Sequence, residues 1–195
     1  MNIGPDSDPL SVFMSWYAEH EATAPKHPDA MLLATASADG RPSVRAVLLK
    51  GVVDESFRFF THYESRKGRD LSENPQAALL FFWPSLGRQV RIEGEATRVS
   101  EADSDAYFAT RPRESQLSAR VSAQSRPTSR EQLLTLRAEA EECFEGGPVP
   151  RPANWGGFAL EPRLFELWVA DPHRFHFRHQ YTRDAAGWRY EVLAP

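Results

Sequence analysis

Residues 31–50, with the sequence MLLATASADGRPSVRAVLLK, contain the strongest indication of how this chain folds. Two strand-like runs, Met31–Ala36 and Arg41–Lys50, stand on either side of the pair Asp39-Gly40. An Asp-Gly pair between such runs is typical of a β-hairpin, because both residue types tolerate the positive φ of its tight turn. The stretch therefore predicts two neighbouring antiparallel strands.

Further strand-like runs continue this pattern along the chain. They are Phe57–His62, Ala77–Trp83, Gln89–Val99, Trp155–Leu160, Leu164–Val169, Arg174–Tyr181 and Trp188–Leu193. Short strands separated by turns favour an antiparallel barrel over parallel β-α-β units. We therefore expect a mainly β protein with helical additions.

The helical additions are indicated by capping residues and by proline. Asp8 can cap a helix whose first position suits Pro9, and we expect that helix to end at Pro25 and Pro28. The expected organisation is a single domain over residues 1–195, with a loose tail at 1–8, an N-terminal helix at 9–24, a short helix at 65–74 and a helical insert at 100–146.

The composition limits the classes of function. A net charge of −4 over 195 residues argues against a general role in nucleic-acid or membrane-surface binding, because both favour a basic surface. Cys143 is the single cysteine, so no internal disulfide can form and we expect a cytoplasmic protein in a reducing compartment. No run of about 18 apolar residues predicts a membrane span, and no histidine or cysteine spacing predicts a metal site.

The most informative local pattern is His173-Arg174-Phe175-His176-Phe177-Arg178. Side chains alternate between the two faces of a strand, which places Arg174, His176 and Arg178 together on one face. Three nitrogen-rich groups on one face suit an anionic or acceptor-rich partner. The alternative is a solvated outer face of the sheet, which this pattern alone favours slightly.

A second pattern, Ser65-Arg66-Lys67, stands where a helix is expected to begin. The free N–H groups and partial positive charge of a helix N-terminus suit a phosphate. Two cations there are unfavourable for the helix unless an anion offsets them. The alternative is a surface loop with two charges.

A third pattern is the spacing by four of Tyr107, Arg111 and Ser115. On one continuous helix these residues would share a face. Pro112 disfavours a continuous helix, although a helix–turn–helix corner could still bring the three donors together around a phosphate. The alternative is that Tyr107 packs in the core while Arg111 faces water.

Arg45, Lys50 and Trp168 are further candidates. Arg45 and Lys50 lie five apart in a predicted strand, so we expect them to face different places. Trp168 is most simply a core or rim aromatic, although its indole could also cover a flat ligand.

Together these segments resemble the pyridoxamine 5′-phosphate oxidase family. The resemblance extends from about Met31 to Pro195. It rests on Arg45–Lys50, Ser65–Lys67, Gln89-Val90, Tyr107–Gln116, Gln124-Ser125, Trp155–Phe158, His173–Arg178 and the terminal Leu193–Pro195, in this order. Each segment is weak alone, but their common order outweighs the alternatives given above.

The resemblance implies an antiparallel split β-barrel that forms a homodimer and binds FMN at the subunit interface. It implies FMN contacts from Arg45, Ala46, Val47, Leu48, Phe60, Thr61, Arg66, Lys67, Gln89, Gln124, Ser125, Trp168 and Arg178. It implies that the substrate phosphate is bound by Lys50, Tyr107, Arg111 and Ser115. Arg174 and His176 would contact the pyridine ring as catalytic residues.

The implied activity is oxidation of pyridoxine or pyridoxamine 5′-phosphate to pyridoxal 5′-phosphate, with O2 as acceptor and H2O2 as product. The alternatives are a related split-barrel flavin oxidase or reductase, for example of the phenazine-pathway type, and a non-catalytic flavin-binding or pyridoxal-phosphate-binding protein.

The chain departs from the family's pattern at three places. Phe60 and Phe177 replace a common tyrosine and a common acidic residue, and the tail at 1–8 lacks the Arg, Lys or Tyr of the family's lid segment.

Overall fold

The computed structural model describes residues 3–23 and 26–195. Its helices are α1 Pro9–Thr23, α2 Arg66–Glu73, α3 Glu101–Thr110, α4 Arg113–Val121 and α5 Arg130–Cys143. Its strands are β1 Ala30–Ala36, β2 Pro42–Leu48, β3 Val52–Val53, β4 Ser56–His62, β5 Gln76–Trp83, β6 Arg88–Arg98, β7 Trp155–Val169, β8 Phe177–Asp184 and β9 Gly187–Leu193. The predicted helix stop at Pro25 lies outside the described residues.

The strands form one antiparallel sheet in the order β2-β1-β5-β6-β7-β4-β3, while β8 pairs with both β7 and β9. Beyond β2, the Lys50 N–H donates to the Arg58 carbonyl over 2.8 Å, and the Arg58 N–H donates to the Gly51 carbonyl over 2.9 Å. These bonds join the end of β2 to β4, so the two ends of the strand order meet. The sheet curls into the predicted antiparallel split β-barrel.

The hairpin of residues 31–50 forms as its turn residues predict. β1 and β2 pair in continuous register from Ala30 opposite Leu48 to Ala36 opposite Pro42. Gly40 has a φ of 81° and donates its N–H to the Ser37 carbonyl over 2.8 Å. The positive φ explains the glycine at this position, because L side chains rarely adopt that conformation.

Aromatic side chains fill the barrel and fasten α1 to it. Phe13 of α1 is fully buried and meets Phe57 and Phe81 edge-on, with ring centroids 5.0 and 4.9 Å apart. Val12 and Trp16 are buried beside it. Edge-to-face pairs add to the stabilisation from burial itself, so α1 is an integral wall of the core.

The two strands predicted at Trp155–Leu160 and Leu164–Val169 are in fact the single strand β7. Its register against β6 shifts where Glu93 faces Leu164 and Gly94 faces Pro162. The residue between them, Arg163, has no opposite partner, which is the signature of a β-bulge. Pro162 lies beside the bulge, and a bulge accommodates proline without ending the strand.

The predicted strand Arg174–Tyr181 begins only at Phe177, so the alternation argument fails for Arg174 and His176. Arg174 has a φ of 65°, which no strand residue adopts. The Asp171 carboxylate accepts the His173 N–H over 2.8 Å and shapes a turn before the strand. An aspartate that bonds the backbone two residues ahead favours such a turn over a strand.

β3 is a two-residue strand that the sequence pattern did not predict. It pairs with β4 across Asp54 and Glu55, whose φ values are 50° and 62°. Two successive positive φ values are the geometry of the tight turn that joins hairpin strands. Neither residue is glycine, so the usual turn signal is missing.

Among residues 3–23 and 26–195, no helix is sufficiently long and apolar to cross a membrane.

The bulge makes Gly94 a position where a side chain cannot fit. A Cβ built there would lie 1.9 Å from the Glu161 carbonyl oxygen. We expect Gly94→Ala to lower the free energy of unfolding by roughly 1–3 kcal/mol, the usual cost of overpacking. Urea unfolding followed by circular dichroism measures this, with Gly147→Ala as the control, where a Cβ meets nothing nearer than 4.0 Å. Equal midpoints for both variants would contradict the bulge geometry.

Candidate functional site

A cavity of about 900 Å³ opens between β2, β4, the start of α2 and the segment from α3 to residue 125. It brings together most of the residues that the sequence singled out. Those lining it are Arg45, Ala46, Val47, Leu48, Lys50, Phe60, Thr61, Arg66, Lys67, Tyr107, Arg111, Ser115, Gln124 and Ser125. The helix–turn–helix corner at Pro112 therefore does bring Tyr107, Arg111 and Ser115 to one cavity.

The cavity lining is strongly cationic. Its charged residues are Arg45, Lys50, Arg66, Lys67 and Arg111, and no aspartate or glutamate lines it within the described residues. Nor does the described part of the chain hold a group of three His, Cys, Asp or Glu side chains that could bind a metal ion. The charge balance suits an anionic ligand.

Lys67 lies at the inner end of the cavity and is 8% exposed. Its ammonium donates to Gln124 Oε1 over 2.9 Å and to Thr61 Oγ1 over 3.1 Å. Both partners are neutral, so no carboxylate balances the charge. Burial and the nearby Arg45 lower the pKa of Lys67 to about 8. An incoming anion would stabilise the ammonium form.

Arg45 is held by a buried polar network that the sequence did not indicate. Its guanidinium donates to Thr35 Oγ1 over 2.8 Å and to the Leu33 carbonyl over 3.1 Å, and it lies 3.8 Å from Asp70. The Thr35 hydroxyl donates in turn to Asp70 over 2.7 Å. The network fixes the direction of Arg45 from behind the cavity.

The start of α2 is built as a capped helix terminus. Ser65 accepts the Gly68 N–H over 3.2 Å and so caps the helix. The Ser125 hydroxyl accepts the Arg66 N–H over 3.2 Å. Ser125 has a φ of 72°, a strained conformation for this residue type. The segment around Gln124 is thus held against the helix terminus.

An aromatic stack lines the other side of the cavity. The rings of Phe60 and Tyr107 stack with centroids 3.9 Å apart, and Phe60 also stacks on Trp155 at 5.6 Å. The Arg111 guanidinium lies 4.5 Å from the Trp155 ring centroid, within cation–π range. Its Nη1 atom is buried and, in the described chain, has no hydrogen-bond partner. Burial lowers the pKa of Arg111.

Lys50 lines the same cavity as Arg45, contrary to the expectation that they face different places. The strand β2 ends at Leu48, so the alternation of faces does not extend to Lys50. The Lys50 ammonium pairs with Asp29 over 2.5 Å. No sequence pattern indicated Asp29, because only the folded hairpin brings residues 29 and 50 together.

His62 lines the cavity and was not predicted as a site residue. It is 5% exposed, and its Nδ1 has no hydrogen-bond partner in the described chain. Burial, followed by the charges of Lys67 and Arg111, lowers the pKa of His62 to about 4. Its place two residues after Phe60 on β4 was the available signal, because such residues share a strand face.

The remaining predicted residues form a second cluster away from this cavity. Gln89 pairs with Trp168, which pairs with Arg178 on the next strand. The His176 ring lies against Trp168, with centroids 4.8 Å apart. Neither these four residues nor Arg174 lines the cavity of their own chain.

Glu166 organises this second cluster. It is 3% exposed and accepts hydrogen bonds from Arg178 over 2.9 Å and Arg91 over 2.7 Å. Burial raises the pKa of Glu166, but the hydrogen bonds from Arg178 and Arg91 outweigh burial and leave this pKa below its usual value. Unlike the cavity, this cluster contains its own counter-charge.

Two family models match the chain. A model described as pyridoxamine 5′-phosphate oxidase matches residues 18–143. A model described as the pyridoxine 5′-phosphate oxidase C-terminal dimerisation region matches residues 155–195, which contain most of the second cluster.

Similar proteins of known name extend over nearly the whole chain. A pyridoxine/pyridoxamine 5′-phosphate oxidase from Rubrobacter xylanophilus is 51% identical over 193 residues, which are 98% of this chain and 89% of the relative. The protein of the same name from Gluconobacter oxydans is 50% identical over 190 residues, 97% of this chain and 95% of the relative.

Two solved structures have the same fold. PhzG from Burkholderia lata, in complex with tetrahydrophenazine-1-carboxylic acid, has a TM-score of 0.91 at 34% identity and covers 98% of this chain and 94% of that one. A pyridoxamine 5′-phosphate oxidase-related, FMN-binding protein from Nostoc punctiforme has a TM-score of 0.78 at 19% identity, with complete coverage of both chains. From the two family models and the full-length relatives, the chain belongs to the pyridoxamine 5′-phosphate oxidase family of oxidoreductases and carries that family's C-terminal dimerisation region.

Proposed function

We propose that the protein oxidises pyridoxine or pyridoxamine 5′-phosphate to pyridoxal 5′-phosphate, with FMN as cofactor and O2 as electron acceptor. The observation that carries the proposal is the cavity lined by five cations and by no carboxylate among the described residues. Two phosphorylated ligands need two groups of anion-binding donors. The cavity lining offers Arg45, Arg66 and Lys67, called here the inner group, and Lys50, Tyr107, Arg111 and Ser115, called here the outer group.

FMN fits the inner group of donors. Arg45, Arg66 and Lys67 supply positive charge, and the partners of the Lys67 ammonium are the neutral oxygens of Thr61, Ser65 and Gln124, so its charge is not balanced by a carboxylate. The proposed FMN contacts in this cavity are Arg45, Ala46, Val47, Leu48, Phe60, Thr61, Arg66, Lys67, Gln124 and Ser125. When bound, FMN supplies a hydride acceptor that the amino acids themselves lack.

The outer group of donors binds the substrate phosphate. Lys50, Tyr107, Arg111 and Ser115 all line the cavity, and Arg111 has a buried nitrogen without a partner in the described chain. Fixing the phosphate sets the position of the pyridine ring, and reacting atoms must approach to about 3–3.5 Å. The group therefore acts mainly by positioning.

Gln89, Trp168, Arg174, His176 and Arg178 complete the site from a second copy of the chain. These residues lie outside the cavity of their own chain. Near them in the chain, the side chains of Phe175, Phe177 and Val192 are 71%, 51% and 58% exposed. Exposed apolar side chains of this kind mark an interaction surface. A homodimer covers them and brings Trp168 and Arg178 to the partner's FMN.

His176 has a defined tautomer in this arrangement. Its Nδ1 accepts the Asp171 backbone N–H over 3.2 Å, so a neutral ring carries its proton on Nε2. Nε2 is then a donor that can orient the 3-hydroxyl oxygen of the pyridine ring and move a proton there. Arg174, two residues before His176 in the chain, adds a positive charge beside the same pyridine ring.

The reaction is balanced as follows. The alcohol loses two electrons and two protons to become the aldehyde, and O2 receives them to give H2O2. The amine is oxidised to an imine by the same loss, and water then releases the aldehyde and ammonia. The test is turnover by the purified protein, which should form pyridoxal 5′-phosphate and H2O2 in equal amounts from pyridoxine 5′-phosphate.

A phenazine-type oxidase is the second candidate, because PhzG has a TM-score of 0.91 to this chain. PhzG is 34% identical, whereas the two oxidases named for the vitamin phosphates are 50% and 51% identical. The phosphate-binding group also favours a phosphorylated substrate. Turnover of tetrahydrophenazine-1-carboxylic acid without turnover of pyridoxine phosphate would select the second candidate.

Lys67 predicts a pH dependence for FMN binding. Its ammonium is charged below a pKa of about 8 and loses its proton above it, so FMN affinity should fall as the pH rises through that value. Flavin fluorescence quenching of the apoprotein measures the dissociation constant. Lys67→Met should bind FMN more weakly at pH 7 and lose this pH dependence, and the same slope in both proteins would contradict the role of Lys67.

Arg111 should affect the substrate and not the cofactor. We expect Arg111→Ala to raise KM for pyridoxine 5′-phosphate roughly 10- to 150-fold, the cost of one charged hydrogen-bond partner, while the purified protein stays yellow. Arg113→Ala, in the next turn but outside the cavity, is the control. A wild-type KM in Arg111→Ala would refute the assignment.

A hybrid dimer tests whether each site uses both chains. With substrate near the wild-type KM, Arg111→Ala and His176→Ala homodimers should both turn over slowly, with His176→Ala losing more turnover than FMN. A hybrid of the two has one intact site and should recover about half of wild-type turnover.

The matched control is a hybrid of one Arg111→Ala chain and one Lys50→Ala chain. Both residues line the cavity of their own chain, so each of the two sites in this hybrid is damaged. Tandem affinity tags isolate each hybrid. No recovery in the first hybrid would mean that Arg111 and His176 serve the same chain's site.

A further inference from the structure

His62 has no role in the site as described so far, although its setting is unusual. Four buried side-chain nitrogens in the described chain have no hydrogen-bond partner, on His20, Arg58, His62 and Arg111. Two of these residues, His62 and Arg111, line the same cavity. Buried polar atoms are nearly always bonded, so each of these two nitrogens lacks a partner that a ligand in the cavity could supply.

The backbone explains why these two side chains share a neighbourhood. His62 at the end of β4 lies opposite Trp155 in the register with β7. The Arg111 guanidinium lies over the ring of the same Trp155, 4.5 Å from its centroid. Phe60, on the same face of β4 as His62, stacks on Tyr107 of the substrate-phosphate group.

The chemistry of the ring decides what the acceptor is. His62 is 5% exposed and is surrounded by the charges of Lys67 and Arg111, with Glu64 as the acidic neighbour. These surroundings keep the imidazole neutral, so it offers one N–H donor. Beside two cations, the acceptor that an N–H donor and a guanidinium can share is an oxyanion.

We propose that His62 is a further substrate-binding residue, whose ring N–H donates a hydrogen bond to the phosphate that Arg111 binds. The inference rests on the proposed function and extends its phosphate group by a residue from the barrel wall. A rigid strand positions this donor, whereas Tyr107, Arg111 and Ser115 belong to the helical insert. Bound phosphate therefore ties the insert to the barrel.

The experiment compares His62→Ala and His62→Asn with the wild-type holoenzyme. Three quantities are measured: KM and kcat for pyridoxine 5′-phosphate, the dissociation constant of inorganic phosphate for the FMN-loaded protein by calorimetry, and that of FMN for the apoprotein. His62→Ala should raise KM and the phosphate dissociation constant by the same factor, roughly 2- to 12-fold for one neutral hydrogen bond. His62→Asn retains an N–H donor and should keep part of the affinity that His62→Ala loses. If His62→Ala fails to fold, the comparison of His62→Asn with the wild-type protein provides the test.

His20→Ala is the matched control. His20 also has a buried Nδ1 without a partner in the described chain, and its ring stacks on Trp83 at 5.3 Å, but it does not line the cavity. It should leave all three quantities unchanged. In the Arg111→Ala background, the effect of His62→Ala should shrink, because residues that share one ligand are coupled.

Two outcomes would overturn the inference. A weaker FMN affinity with unchanged KM would assign His62 to the cofactor phosphate, and no change in either would leave it a structural residue. Failure of the proposed function is a separate result: a wild-type protein that does not oxidise pyridoxine phosphate refutes that function. The effect of His62→Ala on inorganic phosphate binding still tests His62 in that case.

Discussion

Two backbone hydrogen bonds, between Lys50 and Arg58 and between Arg58 and Gly51, close the barrel where β2 runs into β4. Without this closure the two walls of the cavity would belong to opposite ends of an open sheet. With it, Arg45 on β2 lies near Lys67, which follows β4, and burial together with the charge of Arg45 lowers the pKa of Lys67. The site is therefore a consequence of how the barrel closes, and the helical insert completes it.

The closure has an energetic consequence, because it buries cations without neighbouring carboxylates. Within the described residues, Arg45 and Lys50 are the cavity cations with acidic partners, at Asp70 and Asp29. Desolvated charge is unfavourable, so the unbalanced cations of the cavity lower the free energy of unfolding of the protein without ligands. A bound anion offsets that cost, and ligand binding stabilises the native state by mass action. The same unbalanced charge therefore opposes folding and attracts phosphates.

Local chemistry made much of the barrel predictable, whereas long-range geometry limited prediction of the site. The hairpin of residues 31–50 follows from one Asp-Gly turn, and the segment order indicated the family. Alternation failed for Arg174 and His176, because a turn shaped by Asp171 delays the strand. Asp70 and His62 stayed hidden, because their roles depend on neighbours that are remote in sequence and meet only when the barrel closes. Family resemblance assigned residues to ligands, but no pattern in a single chain separates the cavity from the second cluster.

The cavity and the second cluster differ in how their positive charges are balanced. Arg178 in the second cluster is bonded to the buried Glu166, which also holds Arg91. The Glu166 carboxylate offsets the charge of Arg178 and fixes its direction before any ligand binds. This suits a surface that first contacts another protein. Lys67 and Arg111 in the cavity lack a carboxylate partner in the described chain and so retain their attraction for phosphates. A preorganised surface on one chain and an unbalanced cavity on the other are complementary, because docking the first on the second adds little further repulsion.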